Sequence, residues 1–222
     1  MLHITLQDKI SRGYGNAARA IGELCDLYRP QSATDPLNGR NHILRFYAGF
    51  LPYDGRVRMP TSYGHVTWQG VFDAAYTQPG DFIVGPLTRS GAQDAAIWFI
   101  AAQQPLLPPL CVRTSALIDV VRSSTSTTVG AGSYGGVGAL SSITILSACP
   151  ASIIHASGVG LNPLGLPATV APGDWEVLLP AASNVVLRTN DRIFDDLGRS
   201  ASIAAAERSD LGWRVIAKEI AS

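Results

Sequence analysis

Lysine is nearly absent from this chain: of 17 basic residues only Lys9 and Lys218 are lysines, which leaves 15 arginines. Arginine is enriched at protein interfaces because its planar, weakly hydrated fork makes bidentate contacts, although a GC-rich genome gives the same bias. The formal net charge is zero, so no long-range field draws the whole chain onto nucleic acid or an anionic membrane. Cys25, Cys111 and Cys149 are an odd number, widely spaced and without a CxxC. That excludes a zinc module or a disulfide framework and suits a reducing cytoplasm. No run reaches the ~18 apolar residues of a membrane span. The start, "MLHITLQDKISRGYG", lacks the apolar core and cleavage site of an export signal. A soluble intracellular product is expected.

Charge is also missing locally. Between Arg122 and Asp174 there is no Asp, Glu, Lys or Arg. The first part of that interval, "SSTSTTVGAGSYGGVGALSS", has the composition of a flexible linker or extended arm. Three regions are therefore expected: residues 1–122 as an N-terminal helix plus a first β domain, 123–141 as the uncharged linker, and 142–222 as a second β-barrel-like domain.

The remaining sequence supports a core, with 46% hydrophobic residues. Ile10, Tyr14, Ala17, Ile21, Leu24 and Tyr28 recur at steps of three and four, which predicts an amphipathic helix closed by Pro30. Gly13, Gly15 and Gly22 weaken it in isolation, so it needs a packing partner. Beyond residue 42 the chain reads as short apolar runs separated by Pro-Gly, Ser-Gly and Asp-Gly turns. The fold class is mainly β: two small barrel- or sandwich-like domains behind an N-terminal helix. A weak internal repeat supports two domains. It aligns Asp81 with Asp191, Ile83 with Ile193, Ile100 with Ile203, Leu110 with Trp213 and Val112 with Val215, with a longer hairpin in the first copy.

Each motif with a chemical reading also has a structural one. "GAGSYG", residues 130–135, fits G-x-G-x-x-G, but neither the helix nor the ribose-binding acid that a dinucleotide needs follows it. Ser133 lacks the G-x-S-x-G elbow. His3, His42, His65 and His155 have no second ligand at helical or strand spacing. Arg40, Arg45, Arg56 and Arg58 are the densest basic group; they could touch phosphate if they faced one way, but a solvated face or subunit contact is the favoured reading. No catalytic residue, cofactor or metal ligand is assigned. "LRTNDRIFDDLGRSASI", residues 187–203, is the most charged stretch of the C-terminal half. Its acids do not alternate as calcium ligands do. Asp195 and Asp196, adjacent on a strand, point to opposite faces and make a poor catalytic pair. Strand, turn, strand fits best, with Gly198 supplying a positive φ.

This block carries a resemblance. Asp191, Arg192 and Ile193, then Gly198 and Arg199, then Gly212, Trp213 and Arg214 resemble a hairpin and following strand found in small β-barrel proteins of tailed-bacteriophage virions, above all head-completion and tail-completion proteins. Where those chains usually carry Tyr, Ala201 stands here. The resemblance covers about 45 residues and implies a non-enzymatic virion component, assembled in the bacterial cytoplasm as a homo-oligomeric ring. The expected station is the neck, with the baseplate or tail hub as alternative. It implies as partners further copies of itself, portal or adaptor proteins, and tail-tube or baseplate proteins. Passive contact with DNA in a channel is also implied; a membrane is not. Candidate subunit-interface residues are Arg192, Asp195, Asp196 and Arg199 at the hairpin and Tyr14 and Ile21 on the helix; Trp213 is expected in the core. The rival readings, a hydrolase or a carbohydrate-binding module, need a constellation of acids or nucleophiles, or an exposed platform drawn from Trp68, Trp98, Trp175 and Trp213.

Overall fold

A computed structural model describes residues 2–52, 67–86, 95–124, 141–155, 173–181 and 185–220. Helix α1 spans Leu2–Ile21. Strands β1 (Glu23–Tyr28), β2 (His42–Pro52), β3 (Thr67–Val71), β4 (Phe82–Val84), β5 (Ile97–Ala102) and β6 (Leu110–Arg113) close one barrel. Strands β7 (Ala116–Ser124), β8 (Ser141–His155), β9 (Trp175–Leu179), β10 (Arg192–Asp195), β11 (Ser200–Ser209) and β12 (Gly212–Ile220) close a second. The protein is mainly β with one N-terminal helix, as the sequence predicts.

The helix ends earlier than expected and is rotated. It ends at Ile21, and Glu23–Tyr28 is a strand. Cys25 and Leu27 alternate into the barrel interior, and pairing with β2 outweighs the accidental helical spacing of Leu24 and Tyr28. The helix seats small residues on the barrel: Ser11 and Ala18 are buried. A Cβ on Gly15 would lie 3.1 Å from the Asp73 Cβ, and one on Gly22 only 2.6 Å from the Ala48 carbonyl oxygen. Close approach thus accounts for two of the glycines. Tyr14 is half-buried, while Ala17 and Ile21 face outward, Ile21 being 67% exposed.

The two barrels follow one path. Around the first the order is β1-β2-β3-β6-β5-β4; around the second it is β7-β8-β9-β12-β11-β10. The registers correspond apart from one further shift in β7–β8, between Ile118 and Val120. Leu27 faces Ile83 and Val120 faces Ile193; Trp68 faces Cys111 and Trp175 faces Ala217. A register shift follows Leu27 in one copy and Val120 in the other. The repeat therefore holds for Asp81/Asp191, Ile83/Ile193 and Ile100/Ile203. It fails for the last two pairs. Leu110 faces Ala102 as Ile216 faces Ala205, and Val112 faces Phe99 as Lys218 faces Ser202. Beyond its shift the β11–β12 ladder runs on to Ser209 and Gly212, so an alignment by apolar residues slips along it.

One ion pair recurs at the same place in both copies. The Asp81 carboxylate accepts Arg29 Nε at 2.9 Å, Arg29 Nη2 at 2.8 Å and the Gln78 amide at 3.0 Å. The Asp191 carboxylate accepts Arg122 Nε and Nη2 and the Arg188 amide, each at 2.8 Å. Each arginine also donates to a carbonyl, of Tyr76 or Val186. The main chain of each aspartate accepts the amide of Ile100 or Ile203 at 2.9 Å. The aspartate side chains are 1% and 2% exposed. The carboxylate hydrogen bonds push both guanidinium pKa values further up.

The expected domain boundary moves. β7 pairs with β8 and β10, so residues 116–122 belong to the second barrel, and only Thr114 and Ser115 separate it from β6. The predicted linker, including "GAGSYG", lies mostly outside the described residues, but its ends, Ser124 and Ser141, are ladder partners. It therefore connects two strands of one barrel rather than two domains. The barrels pack as one body. Phe82, Phe99, Ala101 and Val112, on the outside of the first, join the core of the second, and Thr34 bridges Ser147. At the matching positions barrel two has Arg192, Ser202, Ala204 and Lys218, an outer face with two charges.

Two outcomes follow from this packing. Arg29→Met or Arg122→Met strands a buried carboxylate, and each is expected to lower unfolding free energy by about 2–4 kcal/mol, after allowing for the part-exposed guanidinium. Denaturant titration checks this; losses below about 0.5 kcal/mol, as for ordinary surface changes, would show that the pair is ornamental. Phe82→Arg, which copies Arg192 into the first barrel, places a charge in the inter-barrel core. Calorimetry of that variant should show two separate unfolding transitions, and a single unshifted one would contradict the shared core.

Candidate assembly interface

The charged hairpin is built from its buried acid outward. β10 alternates, sending Ile193 and Asp195 inward and Arg192 and Phe194 outward. The Asp195 side chain is 0% exposed. One of its oxygens accepts the amides of Leu197 at 3.1 Å and Arg199 at 2.7 Å, and the other accepts Arg199 Nε at 2.7 Å. Gly198 sits at φ +79°, where a side chain would be strained. Arg199 lies over the Trp175 ring, 5.0 Å from its centroid, with Nη1 3.1 Å from His155 Nε2; that ring nitrogen is then the acceptor. The turn is held from beneath by a carboxylate, a guanidinium and an indole.

This arrangement sorts the candidate residues. Arg192 and Asp196 are exposed. Asp195 is not available to a partner; it is the internal brace, and Arg199 is spent on it. Of the adjacent acids, Asp195 is buried and Asp196 exposed. The turn also presents an apolar side chain, Leu197, 74% exposed. The charged-motif reading passed over it because an exposed leucine carries no sequence signal; only its place one step past an acidic pair hints at a tip.

The other two candidates lie on α1, beside which a groove of about 670 Å³ runs between the helix and the outside of β1 and β2. Arg12 and Arg19 stand on the helix side, Leu24 and Tyr47 are cross-strand partners on its floor, and Tyr76 closes one end. These five side chains are exposed. Tyr14 and Ile21 flank the groove without lining it. Of the basic group, Arg40 is exposed, Arg45 is bound to Asp26 with contacts of 2.7 and 2.9 Å, and Arg56 and Arg58 lie outside the described residues. Asp26, which also meets His42 at 3.0 Å, has its pKa lowered, chiefly by the Arg45 hydrogen bond.

Elsewhere the side chains serve packing. Trp175 and Trp213 are buried, and Trp68 and Trp98 pack against the first core, Trp98 stacked on Phe50 at 3.9 Å. None of the four offers the open platform that a sugar-binding surface requires. The three thiols are buried; burial raises the Cys25 pKa to about 11, that of Cys149 to about 12, and that of Cys111 further still. Among the described residues no three His, Cys, Asp or Glu side chains gather as a metal site, and no helix is long and apolar enough to cross a membrane. No protein family, curated protein or solved structure matches the chain.

The brace and the tip separate experimentally. Asp195→Ala removes three hydrogen bonds to a buried carboxylate and is expected to cost about 2–3 kcal/mol, whereas Asp196→Ala should stay within about 0.5 kcal/mol of the parent. Thermal or denaturant unfolding distinguishes them. Equal, small effects would mean that the turn does not depend on Asp195.

Proposed function

We propose that this chain is a structural component of a tailed-phage virion, assembling as a ring at the neck between portal and tail. The reading begins from the resemblance of the Asp191–Arg214 block to head- and tail-completion barrels. The observation that carries it furthest is where the exposed apolar side chains sit. Ile21, Leu24, Tyr47, Tyr76, Phe194 and Leu197 are large, exposed and mounted on a helix, on strands or on tight turns. Rigid apolar surface of this kind marks contact with another macromolecule. The tandem barrels add a symmetry argument: a ring of such chains presents twice as many similar barrels as it has subunits, and can face partners of either symmetry. The chain works by contact, without catalysis or cofactor.

The test is electron microscopy of lysates from a phage or prophage lacking this gene. DNA-filled heads beside separate, finished tails are expected. Heads with no tails at all would move the protein to the baseplate or tail hub. Normal infectious particles would end the structural reading.

A further inference from the structure

The two exposed surfaces described above complement each other. The β10–β11 turn offers a large apolar side chain, Leu197, beside the exposed carboxylate of Asp196, on a backbone already fixed by Asp195. The groove on the first barrel offers an apolar floor, Leu24 and Tyr47, with Tyr76 at one end. Arg12 and Arg19 stand seven residues apart on one face of α1. Among the described residues neither arginine and not Asp196 makes an ion pair, whereas Arg45 beside them is already committed to Asp26. Asp73, also at the groove, has its carboxylate turned to the Ala75 amide at 3.1 Å. Among the described residues the groove therefore presents two arginines and one aspartate outside any ion pair, a net positive charge, around an apolar floor, and the turn presents one uncommitted negative charge beside an apolar knob.

We propose that the Asp196–Leu197 turn of one copy docks in the α1–β1–β2 groove of a second copy. Leu197 would cover Leu24 and Tyr47, and Asp196 would meet Arg12 and Arg19. This rests on the self-assembly in the reading above and names the contact that makes it. Because knob and groove lie on different barrels, the contact can repeat head-to-tail, closing into a ring or growing as a filament. Pre-organisation favours it: the turn loses little freedom on docking, since its hydrogen bonds are already made inside its own chain.

A two-variant mixing experiment on the full chain tests this. One variant carries Asp196→Arg and Leu197→Glu, the other Arg12→Glu and Arg19→Glu. All four positions are exposed and Asp195 is untouched, so circular dichroism and melting should match the parent. Light scattering and sedimentation should show each variant self-associating at least ~30-fold more weakly than the parent, the loss of a hot-spot contact. An equimolar mixture should recover a species of two chains and no more, because one intact knob meets one intact groove. A parent that is monomeric up to ~100 µM, well above the range of a specific contact, would overturn the proposal. So would a knob variant that assembles like the parent. The virion reading is judged separately. Intact rings from the knob variant, together with unjoined heads and tails in the deletion, would remove this contact and leave that reading standing. Knob and groove variants that behave as expected, with a harmless deletion, would do the reverse.

Discussion

Each barrel depends on one buried carboxylate. The seam that closes each barrel is a short ladder: three pairs between β1 and β4, four between β7 and β10. So short a strand brings little cross-strand packing of its own. Asp81 and Asp191 stand immediately before those strands and tie them in two directions, through the side chain to Arg29 or Arg122 and through the main chain to Ile100 or Ile203. A carboxylate taken out of water is costly unless its oxygens are satisfied and its charge is met. Both conditions hold only when the strand lies in its closed position. The ion pair thus selects the closed register over an open sheet, whatever its net contribution to stability.

The two copies share this device and differ where they meet the rest of the molecule. The outer face of β4–β6 in the first barrel is apolar and buried on the second; the matching face of β10–β12 carries Arg192 and Lys218 and is left to solvent. A head-to-tail stack that reused the intramolecular contact would have to bury those charges unpaired. The repeat therefore stops at two through that face. The second barrel's short turn after β10, braced by Asp195, and the flank of α1 are exposed surfaces of a different kind.

What could be read in advance follows from range. The β class, the doubling of the fold and the hairpin at Asp195–Gly198 depend on local alternation and turn chemistry, which neighbouring residues express directly. So did three of the five repeat pairs, because Asp and Ile recur two residues apart in both copies and a second Ile follows on the next strand. The limit of the helix was not legible. Leu24 and Tyr28 continue its spacing, and only the presence of β2 beside Cys25 and Leu27 decides for a strand. The domain boundary was misread for a similar reason: a run without charge has the composition of a linker whether it joins two domains or two strands of one barrel.

The candidate site divides in the same way. The sequence by itself determined that this stretch forms a charged turn, since Asp and Gly at those steps favour one almost wherever they are placed. Which acid is exposed was decided by tertiary structure. Asp195 faces inward because β10 pairs with β7 with Ile193 inside, and strand alternation then fixes Asp195 as the brace and Asp196 and Leu197 as the tip. The groove beside α1 likewise exists only once small residues at positions 11, 15, 18 and 22 let the helix lie against the barrel. Alternation is local and visible in the chain; which face becomes the inside is set by the partners that close around it.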